Sequence, residues 1–191
     1  MDLLELINQK AFLGQEFLTW LWYVSEEEEA PVLADGRSVR VSLGDRLVLG
    51  PTQGAEGTRV TVKGQEVSLA EARQALRRGK LVEAMRLGLE MEGEEYWLNL
   101  TAAELAVGSL KLPPVAPAED PLRPEPPGGM EPEGPSAAVN LADGLVLERV
   151  ALINNALQAM EGLFKVFMTR RLDEDQASQM KQALKAWAAE G

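Results

Sequence analysis

The 191-residue sequence contains neither cysteine nor histidine. The first absence removes disulfides, thiolate nucleophiles and zinc–sulfur sites, and it fits a reducing compartment such as the cytoplasm. The second removes Ser-His and Cys-His nucleophilic catalysis and most transition-metal sites. An enzyme built from what remains would rely on carboxylates, lysine or a hard cation. No Asp-x-Asp pair with a third carboxylate at a useful spacing falls on the expected strands, so a metal-dependent hydrolase is disfavoured. The reading is of a protein with no catalytic residues, no metal and no cofactor. Long apolar runs are missing as well: no stretch reaches the roughly 18 residues of a membrane helix. The opening Met1-Asp2-Leu3-Leu4-Glu5 is acidic, unlike a secretory signal.

Positive charge is also scarce. The net charge is −11, carried mostly by residues 1–111 and by the proline-rich stretch that follows. A chain this acidic is a poor non-specific nucleic-acid binder, since phosphate neutralisation supplies most of that affinity. Contact with DNA would need a local basic patch or a partner.

What is present divides into three regions. Residues 1–112 open with apolar positions at helical spacing: Leu3, Leu4, Ile7, Phe12, Phe17, Leu18, Leu21 and Trp22,. Gly14 suggests a break between two segments. The crowded Trp20-Leu21-Trp22-Tyr23 reads as core under a sheet more readily than as a base-stacking platform, because Glu26 to Glu29 follow at once,. Those glutamates read as a solvated helix end before Pro31. Alternation then predicts a strand over 38–43, a turn at Gly44-Asp45, a second strand over 46–49, a loop over 53–57 and a third strand over 58–63.

The stretch from Gln65 to Leu89 carries the clearest punctuation. Ser68 and Glu71 make a capping box, Arg77 and Arg78 suit a helix C-terminus, and Gly79 supplies the left-handed stop,. Strands are expected over 81–92, 94–100 and 105–112, with Gly93 in a tight turn. The fold class is α+β: an antiparallel sheet with packed helices and one polar sheet face.

Residues 113–138 hold most of the 11 prolines and read as an extended acidic spacer,. Residues 139–191 read as a helical hairpin. Val146, Val150, Ile153, Leu157, Met160, Phe164 and Phe167 alternate spacings of four and three, a coiled-coil seam,. Asp173 and Gln176 make a second capping box. Spacer length favours a hairpin that docks in trans, through that seam, over one that folds back on the first domain.

Residues 12–112 resemble the C-terminal half of the RdgC recombination-associated family. The likeness rests on Lys63-Gly64-Gln65, the capped helix, Gly79-Lys80-Leu81-Val82, the strand around Tyr96-Trp97-Leu98 and the closing Leu110-Lys111-Leu112. Phe12 to Trp22 resemble the segment that opens this half. The resemblance implies a non-enzymatic DNA-binding protein of the nucleoid, acting in DNA recombination as a ring-like dimer on duplex DNA. It places Lys63 and Gln65 at DNA. Arg59, Arg77, Arg78 and Lys80 would extend the patch. The family's N-terminal half has no counterpart here, so the expected partner is a second copy or a companion chain supplying it. The competing expectation is an acidic adaptor or inhibitor that binds proteins and not DNA.

Overall fold

A computed structural model describes residues 3–51, 57–64, 69–115 and 135–189; over 3–12 and 135–143 it describes the backbone alone. The loop expected over 53–57, the cap residue Ser68, Gln65 and most of the spacer lie outside these residues, apart from Gly57.

Four helices and five strands follow in the order α1 (Leu3–Glu26), β1 (Arg40–Gly50), β2 (Val60–Lys63), α2 (Leu69–Arg77), β3 (Leu81–Met91), β4 (Glu94–Thr101), β5 (Ala106–Lys111), α3 (Pro135–Leu172) and α4 (Glu174–Ala189). The strands form one antiparallel sheet in the order β2-β1-β3-β4-β5. The α+β expectation holds.

One sheet face is apolar because alternate residues supply it: Met85, Leu87, Leu89 and Met91 from β3, and Tyr96, Leu98 and Leu100 from β4, all buried,. Helix α1 lies across it. Its Leu18, Trp20, Leu21 and Trp22 are fully buried, so α1 is a central helix, covered by the sheet on one side and by α3 and α4 on the other. Thr19 fixes the join: its Oγ1 donates to the Gln15 carbonyl at 2.7 Å and accepts from the Val82 amide at 3.2 Å.

Two glycines depart from their expected roles. At Gly14 the helix does not break; α1 runs through it unbroken. A Cβ there would stand 2.0 Å from the Ala102 carbonyl oxygen, so this glycine permits close approach of α1 to the β4–β5 turn. Gly44 likewise makes no hairpin. Residues 40–50 are one strand, because the uninterrupted β3 pairs with both halves of it. Gly44, Asp45 and Arg46 form a bulge opposite Arg86, whose guanidinium meets Asp45 at 3.3 Å,.

Other punctuation follows the chemistry. Gly79 (φ 83°) ends α2 in a Schellman motif, with Lys80 N–H donating to Ala75 and Gly79 N–H to Leu76,. Glu92 (φ 53°) and Gly93 (φ 84°) make the two-residue, doubly left-handed turn joining β3 to β4,. Asp173 Oδ1 accepts from the Gln176 amide at 2.9 Å and so caps α4,. The edge strands are weak: β2 has four residues, and β5 has a register shift and a left-handed Ser109 (φ 49°).

The C-terminal helices correct the expectation of a hairpin held away from the first domain. α3 begins at Pro135, inside the expected spacer. Ala156, Ala159, Met160, Leu163 and Phe167 of α3 and Trp187 of α4 belong to the same core as α1 and the sheet. Phe17 explains the attachment: its ring meets Phe164 edge-on at 5.1 Å and Phe167 at 5.4 Å,.

Candidate functional site

The residues expected at DNA separate into two groups. Arg59 and Lys80 come together where β3 starts. Arg59 Nε is 2.6 Å from Glu83, and the Lys80 ammonium donates to the Thr58 carbonyl. Arg77 turns the other way and donates to the Ala188 and Ala189 carbonyls at 2.6 and 3.1 Å. It caps the end of α4 and is committed there. Among the described residues, the Arg78 side chain is exposed and without a partner. At the opposite end of β2, Lys63 stands directly across from Arg46, both exposed. Gln65 lies outside the described residues. Of the expected patch, Arg59, Arg77 and Lys80 are bonded internally, Arg78 and Lys63 are exposed, and Lys63 is joined by Arg46, which was not expected.

The seam expected on α3 divides as well. Met160 and Phe167 are buried within the chain and cannot meet a partner, and Phe164 packs on Phe17. Val146, Val150, Ile153 and Leu157, joined by Leu147, remain between 38% and 69% exposed. The reason is geometric. These five share one face of α3, whereas Leu152, Ala156, Ala159 and Leu163 on the other face pack into the core,. From Val150 to Met160 this helix has no charged side chain.

The polar sheet face is small. Trp97 lies across Gly88, where a Cβ would be 3.1 Å from the indole ring, and the Arg86 guanidinium sits 5.5 Å from the ring centroid. Ser42 and Asn99 are their half-buried neighbours. A capped tryptophan of this kind is held by packing on its own sheet.

One polar junction was not anticipated from sequence. Glu26 to Glu29 are exposed, as expected of a solvated run, but Glu26 also accepts Trp22 Nε1–H at 2.9 Å and Trp187 Nε1–H at 2.8 Å, and it pairs with Arg73. Arg73 also lies 5.3 Å over the Trp187 ring, which meets Trp22 edge-on at 4.9 Å. α1, α2 and α4 are tied at a single carboxylate. The available signal was the spacing of Trp22 and Glu26, one turn apart on α1.

Beneath α4 lies a cavity of about 730 Å³ between that helix, the end of α2, the start of β3 and the end of α3. Among the described residues no group of three acidic side chains is placed to hold a metal, and no helix is long and apolar enough to cross a membrane. Compared with protein-family models, with curated proteins and with solved structures, the chain matches none.

Proposed function

We propose that this protein works by binding and not by catalysis, as an acidic accessory protein that pairs with a second copy of itself through the first half of α3. One observation carries the reading: the apolar stripe Val146, Leu147, Val150, Ile153 and Leu157 stays exposed along one face of α3. Five such side chains present on the order of a few hundred Å², the size at which an apolar patch marks an interaction surface. The stripe keeps coiled-coil spacing and continues directly into the residues that α1 covers, so a helix is the natural occupant. Two chains of net charge −11 repel over most of their surface,. The uncharged stretch from Val150 to Leu157 is where they can meet without opposing carboxylates.

Light scattering during size exclusion tests this. Wild type is expected to run as a dimer whose Tm rises with protein concentration, and Val150→Glu/Leu157→Glu as a folded monomer whose Tm does not. A wild type that stays monomeric up to its solubility limit sinks the proposal.

A DNA-binding accessory role, as the resemblance to RdgC implies, is the second reading, and the Arg46–Lys63 pair favours it. Like charges directly opposite on paired strands destabilise a sheet, and a phosphate between them would relieve the cost. In salt-titrated duplex binding, Arg46→Ala/Lys63→Ala should lower affinity and reduce the salt slope by about two. Absence of binding at low salt removes this reading and leaves the adaptor.

A further inference from the structure

We propose that the cavity under α4 is a binding site for a single-tailed amphiphile with an anionic head, an aliphatic carboxylate being the simplest case. α4 is held at its two ends. The turn capped by Asp173 fixes one, and Trp187, bonded to Glu26, fixes the other. Between them the inner face is only half-buried: Met180, Leu184 and Ala188 touch the core at one side, and with Ala177 they line the cavity at the other. Leu76, Leu81 and Phe167 form the facing wall. The pocket is open to solvent along one side, and its volume falls within the range of small-molecule sites,.

The mouth sets the charge of the ligand. Glu16 is the one carboxylate on the lining, and Arg171 takes it up at 2.6 Å. Arg77 is engaged by the carbonyls at the end of α4. Lys181 and Lys185 also line the cavity, one turn apart on α4, exposed and without a partner among the described residues. Like charges at that spacing destabilise a helix. In a chain of net charge −11, two unopposed cations beside an apolar cavity are complementary to an anionic head with an apolar tail,.

Isothermal titration of the full chain with dodecanoate, below its micelle concentration, tests the assignment. One molecule is expected to bind per chain. Lys181→Glu/Lys185→Glu should weaken binding by about tenfold or more, the scale of losing charge-assisted hydrogen bonds. Dodecanol should bind weaker by a similar factor. Met180→Trp, which fills the cavity, should abolish binding; should that variant fail to fold, Ala177→Leu serves the same purpose with a smaller increment. Absence of saturable binding overturns the proposal. So does binding that survives charge reversal at full strength, or that is indifferent to filling the cavity.

Discussion

Trp187→Ala is expected to destabilise the protein by about 3–5 kcal/mol, the range for removing a buried aromatic and leaving its cavity. Trp187 is the one buried residue of α4. Its ring meets Trp22 at 4.9 Å and Tyr23 at 5.7 Å, and its N–H donates to Glu26. Truncation removes these contacts together and leaves α4 held only by its turn, by Arg77 and by a few half-buried residues. For a chain of this length the loss corresponds to a fall of roughly 10 °C in Tm. Hydrogen exchange checks the mechanism: amides of α4 should lose protection well before those of β3 and β4. Uniform loss across the chain would show that α4 is not a separable layer.

Glu26→Ala should cost about 2–4 kcal/mol, although the substituted side chain carries little apolar area. The penalty comes from what it abandons. Arg73 keeps its charge with only 19% of its side chain exposed, and its Nε already lacks a partner. Both indole N–H groups lose their acceptor. Unpaired buried donors each cost on the order of 1–3 kcal/mol, and a stranded charge costs more. Removing both partners offers a diagnostic contrast: Glu26→Ala/Arg73→Leu should recover a substantial part of the loss, since no charge is then stranded. Denaturant unfolding of the two single variants and the double variant measures the coupling. Additive effects would show that Glu26 and Arg73 do not act as a pair.

Much of this architecture is legible in the residues, for local reasons. Leu81 to Met91 alternates and is bounded by Gly79 and Gly93, two positions whose left-handed backbone ends the neighbouring elements without strain. Asp173 caps α4 by a contact three residues long. What could not be read depends on partners distant in sequence. Gly44 looks like a turn until β3 is found pairing on both sides of it. Gly14 looks like a helix breaker until Ala102, 88 residues away, is found against it. Glu26 is exposed as its sequence neighbours suggest, but its bond from Trp187, 161 positions away, is invisible in sequence. The seam of α3 is one continuous pattern in sequence; only the packing of Phe17 on Phe164 and Phe167 shows which part of it is covered within the chain. The basic positions fare similarly. Their charges are plain in the sequence, but the commitments of Arg59, Arg77 and Lys80 to internal acceptors are tertiary facts.

The weak margins of the sheet have a consequence for how copies of this chain can associate. A flank that offers a long row of free amides and carbonyls recruits further strands and leads to open-ended stacking. Here one flank is the four-residue β2, ending in Lys63, and the other is β5, kinked at Ser109 and out of step with β4. Neither margin can template an added strand over any length. The proposed pairing through α3 would close after two molecules, and the short or irregular outer strands β2 and β5 offer little to extend it into open-ended stacking,.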